Sequence, residues 1–531
     1  MTLLDRPHTG SISAGRLDTP SPPGAMLDAL AGLEDPVMLD SAARHERFGR
    51  YSVLTCRPLE VITLREGVLA DMAGNVLAAH DDNAIWSALA RAFACIRLKG
   101  SSPMPYGPGW YGYIGYEVGR HVERLPGRAA RDTALPDLRL AFYDAALVYD
   151  AIEGCWSLAE LHFDDPPPGA GMAADALRQL AVMKPPPSGG APRADAQGSP
   201  PCSRMGLQSP VSNFTPDEYR RAVRRAIKYI AAGDIFQVNL SQRFTIADAP
   251  PPLDIYRVLR RRNPAWYAAY LAFDCRNNWG QSQTAGQSPV GRSTIRNPQF
   301  AILSSSPELF LRVRDGHVIT RPIKGTRRRT GDPTADAAAR DDLWRSPKDN
   351  AELAMIVDLL RNDLGRVCRF GSVRVVEHRA LEAHPTVFHL VGTVEGRLRR
   401  DVGPAELLRA TLPGGSITGA PKIRAMEIID ELEPVARGVY TGCIGFVGVD
   451  GTCEWNIAIR TIIREGGQAG RAHVQVGGGI VADSDEQAEY VETLDKGRAL
   501  LEAIREAAGI PVNPLIGESV NREQARGFPS D

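Results

Sequence analysis

A chain of 531 residues, 43% hydrophobic and 24% charged, has globular composition and room for two or three ordinary domains or one large composite one. Its 62 Lys+Arg against 63 Asp+Glu give a formal net charge of −1, which argues against a nucleic-acid or membrane-surface binder and leaves only local anion pockets. No run approaches the roughly 20 apolar residues of a membrane span, and the 8 scattered cysteines, with no CxxC pair, read as reduced cytoplasmic thiols.

In chain order, residues 1–25 are rich in Pro, Ser, Thr and Gly and lack the apolar core of a signal peptide; a disordered tail is expected. Residues 26–165 alternate short apolar runs with turns. Within them, Gly109 to Tyr116 alternates glycine with aromatics, a pattern suited to strands too close for a side chain. From 166 to 213 Pro-Pro-Pro occurs twice amid Gly, Ala and Ser, so a flexible linker is expected. A second folded region, 214–508, opens with a helix: Thr215 caps it, Pro216 fits its first turn, and Asp217 and Glu218 complement its dipole. Apolar residues from Tyr219 to Ile230 keep helical spacing, and Gly233 ends it. A Gly- and Gln-rich insert at about 276–297 reads as a surface loop, and 509–531 as a C-terminal tail.

Several residues carry chemistry. Glu352 falls on the apolar stripe of a helix containing Met355, Ile356, Leu359 and Leu360, where a carboxylate needs a cation or a donor. Glu489 and Glu492 lie one turn apart in the last helix, ahead of Lys496. Taken singly, these read as a buried salt bridge and a solvated face; two carboxylates from different helices, with waters and an anionic substrate, would make a Mg²⁺ site. Gly477, Gly478 and Gly479 let backbone N–H groups approach an anion. The loop from Pro413 to Lys422, with Ser416 and Thr418, offers amides and hydroxyls to a carboxylate but lacks the order of a nucleotide P-loop. Tyr440 and Arg460 lie in strand-like runs, and the Arg460 fork matches a carboxylate or an internal glutamate. Lys324, in Arg321-Pro322-Ile323-Lys324-Gly325-Thr326-Arg327, is an ordinary surface charge unless buried, in which case it becomes a nucleophile. Glu308, 16 positions earlier, is placed to serve it as general acid or base.

These segments, with Ile230 to Ser241, Met355 to Asp363 and Gly477 to Ser484, resemble in this order the chorismate-utilising synthases, over about 214–508. A weaker resemblance covers 26–165 through Leu39-Asp40-Ser41, Gly49-Arg50-Tyr51-Ser52 and the glycine-aromatic run. The resemblance implies a large α+β fold: two mainly antiparallel sheets in a sandwich, with external helices. It implies Lys324, Glu308 and His389 as catalytic residues. Gly325, Thr326, Arg327, Thr418, Tyr440, Arg460 and Gly477 to Gly479 are implied to bind substrate, and Glu352 and Glu492 to hold Mg²⁺. Aminodeoxychorismate synthases carry lysine at the Lys324 position and anthranilate synthases typically alanine, so the resemblance points to amination of chorismate at C4 with ammonia, for folate precursors. No glutamine amidotransferase segment is recognisable, so a separate subunit is expected to supply the ammonia. A possible tryptophan site comprises Ser41, Phe48, Gly49, Arg50, Tyr51, Pro264, Ala265 and Trp266; Trp266 stands where the family often has proline.

Overall fold

A computed structural model describes residues 3–17, 19, 21–43, 48–182, 207–274, 298–384, 387–467 and 470–511. The expected insert at about 276–297 and nearly all of the expected C-terminal tail lie outside them.

Two large sheets face each other. In the first, Gln237–Ile246, Arg471–Ile480, Thr461–Glu465, Phe300–Ser306 and Tyr267–Phe273 lead to Val37–Asp40, Tyr51–Thr55, Ala145–Asp150, Cys155–Phe163 and His8–Leu17. In the second, Ile323–Arg328, Val387–Arg397, His317–Arg321, Leu309–Arg314, Cys453–Ile457 and Cys443–Gly448 lead to Gly109–Ile114, Leu138–Tyr143 and Glu60–Arg65. The two sequence regions are therefore halves of the same two sheets. They join where Tyr267–Phe273 pairs antiparallel with Val37–Asp40 and Cys443–Gly448 with Gly109–Ile114. The space between the sheets is filled from both regions by Val37, Val53, Tyr111, Tyr113, Ile302, Ile444 and Phe446. The glycine-aromatic run sits at the second seam. Gly112 lies opposite Gly445, and a Cβ on either would run into the carbonyl of the adjoining strand.

Two expectations are corrected. Residues 1–25 contain the strand His8–Leu17, antiparallel to Cys155–Phe163 and parallel to Ile96–Leu98, with Leu3 and His8 buried. The 166–213 stretch contains the helix Met172–Val182, whose Leu177 and Leu180 are buried, and the short strand Val211–Ser212; residues 183–206 lie outside the described ones. The helix Pro216–Ala231 begins as expected, with Thr215 and Glu218 forming a reciprocal capping box. Helices pack outside the sandwich, among them Pro347–Gly365, which covers Val387–Arg397, and Glu486–Ala507, which covers Arg471–Ile480. Among the described residues no helix is long and apolar enough to cross a membrane.

Candidate active site

Lys324 lies in the strand Ile323–Arg328, paired to Val387–Arg397. The register slips between Lys324 and Thr326, where Gly325 adopts φ 73°. That conformation suits glycine, and such a bulge re-aims its neighbours. Lys324 Nζ comes within 3.9 Å of Glu352 Oε2, on side chains 11% and 13% exposed. Burial lowers the Lys324 pKa, and Glu352 and Glu308 oppose that shift. Glu308 is buried at the end of Phe300–Ser306. Burial raises its pKa to about 7, against the hydrogen bond from Ser416 Oγ to its Oε1 at 2.5 Å and the charge of Lys324. A deprotonation-prone lysine and a protonation-prone carboxyl thus share one pocket.

Carboxylates gather at the triple glycine. Gly477 to Gly479 are not a turn: they lie inside Arg471–Ile480, opposite Ser241, Leu240 and Asn239. A Cβ on Gly478 would stand 3.0 Å from Glu489 Oε2 and 3.8 Å from Glu492 Oε1, and one on Gly479 3.7 Å from Glu352 Oε2. Glycine is required there because side chains would fill this space. Glu492 Oε1 meets Lys496 Nζ at 2.7 Å, Lys496 also donates to Gly477 O, and Lys348 Nζ lies 3.7 Å from Glu489 Oε1. Burial raises the pKa of Glu352 and of Glu489, whereas Lys496 and Lys348 bring that of Glu492 down despite its burial. Among the described residues no three His, Cys, Asp or Glu side chains close around one point.

Arg460 is not in a strand. It sits with Ala458 and Ile459 in the link between Cys453–Ile457 of one sheet and Thr461–Glu465 of the other, at φ 52°. This left-handed conformation in a non-glycine residue costs about 1–3 kcal/mol. Burial lowers its pKa, and among the described residues no carboxylate pairs with it. Burial, with His384 and Arg460 nearby, holds the His389 pKa down at about 3, so His389 is a neutral imidazole near pH 7; its Nδ1 lies 3.0 Å from Thr326 Oγ1. Tyr440 lies in the turn before Cys443–Gly448 and is buried.

Other expected ligands are engaged elsewhere. Arg327 pairs with Asp342 and Asp349, and the Thr418 hydroxyl donates to Gly414 O at 3.0 Å inside its own loop. At the possible tryptophan site, Ser41 Oγ donates to the carbonyl of Tyr51 (2.7 Å), with the carbonyl of Trp266 also in reach at 3.1 Å. Arg50 pairs with Asp150, Tyr51 packs on Tyr106, Gly49 is buried, and Ala265 O accepts from Ala43 N. Pro264 lies before them, half-buried. The indole of Trp266 itself packs between Phe48, at 6.1 Å, and His384, at 4.3 Å, and His384 stands edge-on to His389 at 4.9 Å. Sequence reasoning missed the Ser416–Glu308 bond and this aromatic column, because neither has a local signature. It noted Glu489 but did not assign it.

A buried lysine, the four carboxyl groups of Glu308, Glu352, Glu489 and Glu492, and an arginine with no carboxylate partner among the described residues define an enzyme site for a small anion. The chain belongs to the chorismate binding enzyme family, whose model matches residues 56–502, and it is an enzyme that acts on chorismate. It is 37% identical to aminodeoxychorismate synthase component 1 of Klebsiella aerogenes over 475 residues, 88% of this chain and 92% of the relative. It is 39% identical to an anthranilate synthase component 1 of Haloarcula marismortui over 426 residues, 78% and 79% of the two chains. The crystal structure of anthranilate synthase component I from Streptococcus pneumoniae superposes with a TM-score of 0.65 at 29% identity, covering 86% of this chain and 93% of that one. The menaquinone-specific isochorismate synthase of Escherichia coli shares the fold, at TM-score 0.63 and 17% identity.

Proposed function

We propose that this chain aminates chorismate at C4, as an aminodeoxychorismate synthase component 1. The observation that carries the reading is the buried Lys324, beside Glu352 and within the field of Glu308. A free lysine at neutral pH is neutral in only about one molecule in a few thousand; burial raises that fraction. The neutral amine attacks ring C2, the double bond shifts, and the C4 hydroxyl leaves as water with the proton of Glu308. Ammonia then adds at C4 and returns one proton to Glu308, the bond between C2 and Lys324 breaks, and the lysine takes back the proton it lost on attacking. The sum is chorismate plus ammonia giving 4-amino-4-deoxychorismate plus water. Arg460 binds a substrate carboxylate, and the neutral His389 holds a hydrogen bond rather than a charge.

Glu352 and Glu492, with Glu489 beside them, would hold Mg²⁺. Hard carboxylate oxygens that do not enclose the ion fit a cation that keeps several waters and takes one or two carboxylates. When bound, the ion neutralises a substrate carboxylate. Relatives named component 1 imply a separate partner component, which we read as a glutamine amidotransferase; the chain alone is then active with ammonium and inert with glutamine. The second reading is anthranilate synthesis, favoured by relatives of that name at similar identity.

The test is chorismate without ammonia. A covalent adduct accumulates on the peptide holding Lys324, and Lys324→Ala abolishes both adduct and C4 amination. Full activity in that variant would sink the reading.

A further inference from the structure

Lys496 stands one helical turn after Glu492 in the helix Glu486–Ala507. A glutamate and a lysine at this spacing on a solvated helix face make an ordinary surface pair worth little. Here the pair is tied into the candidate site. Lys496 Nζ meets Glu492 Oε1 at 2.7 Å and also donates to Gly477 O at 2.9 Å. The second bond holds the ammonium against the strand Arg471–Ile480, where the three glycines leave room.

Three polar groups border one small space over Gly478. A Cβ built there would stand 3.0 Å from Glu489 Oε2, 3.8 Å from Glu492 Oε1 and 3.9 Å from Lys496 Nζ. The other oxygen of Glu489, Oε1, accepts from Ser484 Oγ at 2.6 Å, which leaves Oε2 to this space. A second lysine, Lys348 of the helix Pro347–Gly365, comes no nearer than 3.7 Å to Glu489 Oε1, on a half-exposed side chain. Lys496 is the cation held at the centre of the group, by a carboxylate and a carbonyl at once.

A Mg²⁺ ion on Glu492 needs the same oxygen. It binds oxygens at about 2.0–2.1 Å in an octahedron and keeps several waters. Those waters claim the room that the ammonium fills, and the two cations repel at such a separation. The ion and the ammonium therefore exclude each other from Glu492 Oε1. The lysine is able to yield, because its flexible four-carbon stem reaches solvent from the partly exposed side chain. We propose that Lys496 is a tethered counter-cation that competes with Mg²⁺ for Glu492 and swings off it before the ion binds, so that it sets the Mg²⁺ concentration at which the site loads. This rests on the Mg²⁺ reading of Glu352 and Glu492.

The test reads metal binding without turnover, by calorimetric titration of the purified full chain with MgCl₂ and no chorismate. Lys496→Met keeps an unbranched side chain and removes the ammonium. The Kd for Mg²⁺ falls about 10-fold, the low end for a hydrogen bond to a charged group because the pair is partly exposed. Glu492→Gln weakens the same binding, which shows that the titration reads this site. A second measurement uses the wild type: a brief pulse of an acetylating reagent, read by peptide mass. Mg²⁺ raises acetylation of Lys496 and leaves unchanged that of Lys99, beside Ile96–Leu98 at the opposite edge of the first sheet. If Lys496→Met fails to fold, the pulse alone decides. A Kd that stays or rises in Lys496→Met, or acetylation of Lys496 that Mg²⁺ leaves unchanged or lowers, means that the lysine keeps its place beside the ion and overturns the proposal alone. No binding in any variant, or binding that Glu492→Gln leaves unchanged, sinks the metal reading and this proposal with it.

Discussion

Removing one hydroxyl, in Ser416→Ala, tests how the acid of the reaction is set. Two opposed effects hold Glu308 at about 7: burial favours its neutral form, and the bond from Ser416 at 2.5 Å favours its charged form. A hydrogen bond to a charged group is worth about 1.5–3 kcal/mol and one pKa unit about 1.4 kcal/mol, so losing the bond raises the Glu308 pKa by about one to two units. The sign follows from the role. Glu308 must be protonated to discharge the C4 hydroxyl and Lys324 neutral to attack, so formation of the lysine adduct climbs with pH as the amine is freed and levels off at about 7, where loss of the acid offsets that gain. In Ser416→Ala the break moves to about 8 or 9, and just above neutrality the variant outpaces the wild type in this step. The assay is a mass-spectrometric time course of the Lys324 peptide with chorismate and no ammonia, across the neutral and alkaline range. A break that stays in place, or moves to lower pH, would refute the assignment of Glu308 as the acid.

Two further outcomes follow from the charges of the site. Arg460→Lys keeps the cation and loses the fork; kcat/KM for chorismate falls about 10–100-fold, chiefly through KM, as expected for one charged hydrogen bond, and an unchanged KM would show that Arg460 does not hold the substrate. Turnover vanishes in EDTA and returns with Mg²⁺, and Glu492→Gln raises the Mg²⁺ concentration required; normal turnover in EDTA would remove the metal from the account.

What could be read from the sequence was local. The capping box of Thr215 and Glu218 and the close strand approach at Gly112 each depend on residues a few positions apart, or on glycine itself. The strand His8–Leu17 was hidden because its Gly, Ser and Thr residues look like a tail; it is held by its pairing with residues about 150 positions away. The interleaving of 26–165 with 214–508 in both sheets has no local signal at all. At the site, residue types pointed to Lys324, Glu308, Glu352 and Arg460. Their surroundings did not follow from residue type. Arg327 and Thr418 had the right chemistry and are spent on Asp342, Asp349 and Gly414, while Arg460, expected in a strand, is placed by the link between the sheets. Sequence could not decide whether Lys324 is buried, and burial is what turns a surface charge into a nucleophile.

Identification of the product formed from chorismate, Mg²⁺ and ammonium tests the central claim most directly. Chromatography with mass detection is expected to show 4-amino-4-deoxychorismate, with the enolpyruvyl group retained and no anthranilate. Anthranilate with release of pyruvate would contradict the account and turn the buried Lys324 into a bystander.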